Sequence, residues 1–174
     1  MPGRVMHIFI ASNAGEPMRE FREIRALKGI GLQGDRYAGH LGVWSKSGRS
    51  VIRHVILIEQ EAIDRAGSKF LASETRRNIV VSDFPLNRLV GKEFIIGESL
   101  MKGIELCDPC QRPSKLCGKD EFEDLFAGLG GLRAEIVIGG TIKVGDDAIY
   151  ERLCLMCNSV QPLTHDCPMT YAEA

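Results

Sequence analysis

The 174-residue chain reads as a mainly β protein, a mostly antiparallel β-barrel with two or three short helices. Three observations predict this class. About seven segments alternate apolar and polar residues with a period of two. The connections between many of them are too short for helical crossovers, which favours antiparallel pairing. So many strand edges in one chain of this size call for closure of the sheet.

"RVMHIFIA" is the first strand, with Met6, Ile8 and Ile10 on one face and His7 and Phe9 on the other; "SNAGEP" ends it in a turn. "REIRALKGIGLQGDRYAGH" starts as a strand and dissolves into a loop with glycines at 29, 31, 34 and 39. "RSVIRHVILIE" alternates again, and "EQEAIDRAGSKFLAS" then carries a helical apolar stripe of Ala62, Ile63, Ala66 and Phe70. "RRNIVVSD" and "KEFIIGESLMKGIELC" are strands, the latter folded at a tight turn in "IIGES". In its second arm Leu100, Ile104 and Leu106 share a face with the stem of Lys102. Pro109 stops ladder pairing just after Cys107. "KDEFEDLFAGLGG" is a short acidic helix closed by glycines, and "LRAEIVIGGTIKVGDDAIYE" is a hairpin turning at Gly139-Gly140. Residues 1–150 form the barrel domain. Residues 151–174 lack periodicity, form a tail beyond it, and are expected to be dispensable for folding.

With 22 basic against 23 acidic residues there is no overall field to attract nucleic acid or an anionic membrane, so any anion site must come from local clustering. No apolar run is long enough to span a bilayer, and the one near the N-terminus, broken by His7, is too short for a secretory core. The expected compartment is the cytoplasm, where six cysteines are thiols and not a disulfide framework.

Three constellations carry candidate chemistry. In "GLQGDRYAGH" the glycines allow close backbone approach before Asp35 and Arg36: Arg36 grips an oxyanion with Asp35 orienting it, or the pair ties the loop to the barrel. Lys46, Arg49 and Arg53, with Arg76, Arg77 and Asn78 of "ETRRN", form two cationic segments. Neighbours entering a strand point to opposite faces, so only one of Arg76 and Arg77 need face a site. The cysteines come last. Cys107/Cys110 and Cys154/Cys157 are both spaced C-x2-C, as in a four-thiolate zinc site, but 43 residues separate the pairs and zinc is disfavoured. A thioredoxin-like pair wants a helix opening at the motif, which Pro113 and the strand-rich surroundings oppose. A strand-end thiol remains, either packed in the core or nucleophilic at Cys110, with Arg112 or Lys115 favouring its thiolate and Cys107 as partner. The four histidines carry no protease signature.

Taken in order, "GLQGDRYAG", "ETRRNIVV" followed by "LNRLVGKEFIIG", "LCDPC" and "GGLRAEIVIGGTIKVGDDAI" resemble the MOSC domain, over residues 3–150. That domain occurs at the C-terminus of molybdenum-cofactor sulfurases and as free-standing bacterial proteins. The resemblance implies an antiparallel barrel that carries sulfur on a cysteine or binds a molybdenum-pterin cofactor. The cysteine of the motif matches Cys110, as sulfur carrier or metal ligand, with Cys107 the near alternative. Gly34, Asp35, Arg36, Arg76, Arg77, Asn78 and Arg112 become the expected cofactor-binding residues. No aminotransferase-like segment is present, so there is no pyridoxal phosphate site on this chain. Sulfur would come from a cysteine desulfurase partner, and a molybdoenzyme is the other partner implied. The tail beyond Tyr150 matches nothing in the motif set.

Overall fold

The structure, a computed structural model, describes residues 2–39, 54–154 and 159–163. The candidate cations Lys46, Arg49 and Arg53, and Cys157 of the second cysteine pair, lie outside the described residues. Seven strands close a barrel: β1 (Gly3–Ile10), β5 (Val55–Glu59), β6 (Ile79–Ser82), β7 (Glu93–Ile96), β8 (Ser99–Leu106), β9 (Leu132–Ile138) and β11 (Asp147–Ile149). Their order around the wall is β1-β11-β7-β8-β9-β5-β6, and β6 returns to β1. Every pairing is antiparallel except β5 with β6. That exception follows from the crossover through α1 (Gln60–Arg65). The short β2 (Arg19–Phe21) extends the wall beside β1, while β3 (Glu23–Leu27), β4 (Gly31–Leu32) and β10 (Gly140–Lys143) make a second, three-stranded sheet. Two further short helices, α2 (Arg112–Cys117) and α3 (Phe122–Leu125), sit outside the barrel.

Apolar residues serve two cores. Val5, Ile8, Leu57, Ile79, Phe94, Met101, Leu132 and Ile136 fill the barrel. Phe9, Ile58 and Val80, their outward neighbours, pack with Ile63, Phe70, Phe122 and Phe126 against the helices. This is why "VILI" in β5 is apolar throughout: both faces of that strand are covered.

Several expectations change in detail, each for a visible reason. A bulge between Val5 and His7 shifts the register of β1, so that Val5 and Ile8 face inward and Met6 faces solvent. In β8 it is Met101, not the face of Leu100 and Lys102, that enters the barrel. The helix expected over 59–73 stops at Arg65, because Gly67 takes a positive φ of 63°; 3-10 turns at Gly67–Lys69 and Ala72–Thr75 follow. Gly139-Gly140 is a corner and not a hairpin: β10 leaves β9 and pairs with β3, from Gly140↔Ala26 to Lys143↔Glu23. A Cβ on either glycine would lie under 3 Å from the carbonyl of Ala26 or Glu98, so only glycine passes there. The turn in "IIGES" is a hairpin, with Ile96 opposite Ser99. Pro113 does not bar a helix either, since it stands in the first turn of α2, where its missing N–H costs nothing.

The tail is not wholly irregular. β12 (Glu151–Cys154) and β13 (Ser159–Pro162) form a two-stranded sheet of their own, Glu151 opposite Pro162 and Cys154 opposite Ser159. The barrel's last anchor is Tyr150, packed edge-on against Phe84 at 5.5 Å between ring centroids. A chain ending at Glu151 is therefore expected to melt close to the full chain in a thermal scan. A large loss would show that the hairpin staples the barrel.

His54 supplies a second test. Its Nδ1 accepts the backbone N–H of Ile136 at 3.1 Å, a role that needs an unprotonated nitrogen. Burial lowers its pKa from the ordinary 6.5, and Glu135 only partly opposes this. The unfolded chain therefore takes up the proton first, so the stability His54 contributes is complete above about pH 6.5 and is lost as pH falls below it. His54→Asn keeps an acceptor without titrating. In urea unfolding it should lose less stability than the native chain between about pH 6.5 and 5. Glu59, raised by burial, acts in the opposite sense but is common to both proteins.

Candidate functional site

The site begins with a carboxylate. Asp35 is 3% exposed, and its Oδ1 accepts from the backbone N–H of Ala11 (3.3 Å), from Arg36 Nη1 (3.1 Å) and from Asn78 Nδ2 (3.2 Å). Its Oδ2 accepts from the N–H of Tyr37 at 3.0 Å. Gly34, at φ 79°, turns the chain so that Asp35 enters this nest. Asn78 has no exposed surface and joins two strands where their ladders end: Nδ2 also donates to the Phe9 carbonyl, while Oδ1 accepts from the N–H of Ile56. Arg36 is likewise buried, with Nη1 also on Met18 Sδ, Nη2 on the Arg76 carbonyl and its guanidinium 4.8 Å from the Tyr37 ring centre.

The two arginines of "ETRRN" part company. Arg76 adopts the left-handed conformation at φ 66°, and its Nη1 donates to the Glu16 carbonyl. Burial, and then the like charges of Arg36 and Arg112, push its pKa down to about 10. Arg77 turns the other way and is 4% exposed: Nε donates to the Gly130 carbonyl at 2.8 Å, Nη1 to the Thr75 carbonyl at 3.0 Å, and the guanidinium lies 5.6 Å from the Phe122 ring centre.

At the end of β8 the cysteine turn begins. Cys107 is buried, and its N–H is bonded to the Gly131 carbonyl at 2.8 Å. Gly130 packs so closely that a Cβ there would stand 2.1 Å from the Cys107 carbonyl and 3.0 Å from Pro109. Cys110 is half-buried and precedes Arg112 by two residues, a span of about 7 Å at most. Arg112 opens α2 and reaches towards Gly15, where a Cβ would lie 3.9 Å from its Nη2. The "DRY" loop, the "RRN" segment and the Arg112 end of the cysteine turn thus share one neighbourhood. Among the described residues no group of three metal-binding side chains forms, and the side chain of Cys154 is not among those described.

The barrel recurs in solved proteins. The YuaD protein of Bacillus subtilis superposes with a TM-score of 0.70 at 18% identity, over 85% of this chain and 94% of that one. YiiM from Geobacillus stearothermophilus gives 0.61 at 14% identity, covering 85% and 74%, and YiiM from Escherichia coli 0.56 at 16%, covering 84% and 68%. At such identities the likeness is one of fold. No protein-family model and no curated sequence matches the chain.

Sequence reading missed Arg133, Glu105, Tyr37 and Gly130. Arg133 pairs with Glu105 at 2.5 Å. Burial works against its charge, yet neighbouring Cys107, Glu105 and Tyr37 more than offset this and raise its pKa. Arg133 occupies an outward position between the inward Leu132 and Ala134, a pattern that reads as plain solvated surface. Tyr37 belongs to the arginine cluster through its ring, which lies 4.8 Å from the Arg36 guanidinium. Removing the carboxylate at the centre should be severe, because it leaves Arg36 buried without a counter-charge. Asp35→Ala is expected to cost about 3–5 kcal/mol in urea unfolding. A cost below about 1 kcal/mol would show that the node is not what holds these loops.

Proposed function

We propose that the chain is a stand-alone MOSC-type protein in which the Cys110 thiolate carries sulfane sulfur and an arginine cluster holds the anionic end of a molybdenum-pterin acceptor. The carrying observation is an excess of like charge. Burial first, and then the like charges of Arg36 and Arg112, lower the pKa of Arg76, and Asp35 is already committed to Arg36. Among the described residues neither Arg76 nor Arg112 has a carboxylate at ion-pair distance. A phosphate dianion relieves that repulsion, and guanidinium forks match its geometry. The residues therefore fit the group. Arg36, Arg76 and Arg112 would hold its phosphate, with Cys110 the soft donor nearest to them in the chain. When bound, the group supplies a soft metal able to take sulfur.

The chain's own step is a sulfur exchange. The Cys110 thiolate attacks the outer sulfur of a protein persulfide on a cysteine desulfurase. The donor's S–S bond breaks, its thiolate leaves, and a new S–S bond and its proton reside on Cys110, with no net oxidation. Arg112 and Lys115 stand on α2, the helix that follows the thiol in the chain.

The test is incubation of the purified protein with a cysteine desulfurase and cysteine, followed by mass-spectrometric mapping, with metal analysis in parallel. One added sulfur on Cys110, absent in Cys110→Ser, supports the reading. Arg76→Ala should load normally but bind inorganic phosphate about tenfold more weakly, as for loss of one charge-assisted contact of roughly 1.5 kcal/mol. Molybdenum with a pterin but no persulfide would favour a reductase-like enzyme with Cys110 as metal ligand. Stoichiometric zinc without either would move the cysteine pairs to a structural role, and absence of all three would overturn the proposal.

A further inference from the structure

The buried guanidinium of Arg77 has a bond left to make. In a guanidinium the Nε–H and the Nη2–H point the same way, forming the fork with which arginine grips a carboxylate. In Arg77 the Nε arm is taken by the Gly130 carbonyl, whereas Nη2 is buried and has no hydrogen-bond partner among the described residues. Its remaining acceptor is another backbone carbonyl, that of Thr75, and no carboxylate among the described residues lies at ion-pair distance. Among the described residues, then, this buried positive charge has no carboxylate partner.

What Arg77 grips is the back of the cysteine turn. Gly130 is pressed against the Cys107 carbonyl and Pro109, and the next residue, Gly131, takes the Cys107 N–H. On its other side Arg77 lies against Phe122, whose N–H donates to Ser114 Oγ on α2, the helix that leaves the turn. Both ends of the segment that carries Cys110 are thus fixed on elements that Arg77 touches.

We infer that Arg77 is the positioning residue of the sulfur-bearing turn. Its Nε–H bond to the Gly130 carbonyl sets the height of the Cys107–Cys110 segment, against which Gly130 is pressed. This deepens the sulfur-carrier reading but does not depend on a donor or cofactor.

The readout is the rate of Cys110 alkylation by iodoacetamide at one fixed pH, mapped by mass spectrometry, with thermal melting of each variant as a control on folding. Arg77→Met removes the bond to Gly130 and should slow the Cys110 reaction severalfold. Arg77→Lys keeps the charge but not the planar Nε–H donor, and should slow it likewise, because the turn is no longer held. Gly130→Ala keeps Arg77 but must displace the turn, and should change the rate in the same way. A role in packing alone would lower the melting temperature of all three and leave the Cys110 rate at the native value; that result overturns the inference. If Arg77→Met does not fold, Arg77→Lys and Gly130→Ala decide through the rate. Absence of persulfide loading together with a changed Cys110 rate would defeat the sulfur-carrier reading and leave this assignment standing.

Discussion

The site depends on one carboxylate placed where water cannot reach it. Asp35 gathers the ends of three chain segments, through Ala11, its neighbours Arg36 and Tyr37, and Asn78. A buried carboxylate is costly unless its lone pairs are satisfied, and here four N–H groups satisfy them. The same bonds force Arg36 to lie beside Arg76, which in turn is tied to the Glu16 carbonyl. Positive charges that repel one another are kept together by the backbone carbonyls of Arg76 and Glu16, which accept from the guanidinium groups of Arg36 and Arg76.

The backbone irregularities around the node have a common cause. A barrel wall saturates its N–H and C=O groups within the ladder, but at the rim the ladders stop and side chains must take over. Asn78 does so between β1 and β5, supplying two donors and an acceptor where a ladder bond would otherwise be missing. Arg76 takes the left-handed conformation two residues earlier, so the chain reverses and presents Arg76 and Arg77 to different neighbours. Glycines 130 and 131 let β9 begin directly against the cysteine turn and β5, at separations no side chain would permit. Functional groups therefore accumulate at the rim, since that is where polar side chains are required for folding as well.

The fold class was legible because period-two patterning and short connections are local signals. The barrel interior of Leu57, Ile79, Leu132 and Ile136 follows from them. Legibility failed where tertiary packing overrode the pattern: at the bulge in β1, at the corner of Gly139 and Gly140, and in the break of α1 at Gly67. For the site, the sequence marked Asp35, Arg36, Arg76, Asn78 and the cysteines by residue type, and it allowed that Arg76 and Arg77 part. It was silent on Arg133 and Gly130, whose roles exist only through contacts with a segment more than twenty residues away. Both stand in a stretch that, as sequence, announces nothing beyond a turn and a strand.

The question posed by two thiols three residues apart is answered in part by where each backbone sits. Cys107 still belongs to the wall: its N–H is spent on Gly131 and its carbonyl is covered by Gly130, so its small apolar side chain is what a strand end in contact with two glycines accommodates. Cys110 comes after Pro109 has ended the ladder and before α2 has begun, and it is the more exposed of the two. The spacing that suggests a matched pair therefore arises from a strand-to-helix turn that opens with Cys107 and holds Cys110 just before α2. On the proposed reading these unequal surroundings divide the roles, with Cys107 fixed at the strand end and Cys110 as the thiol that meets what enters the site.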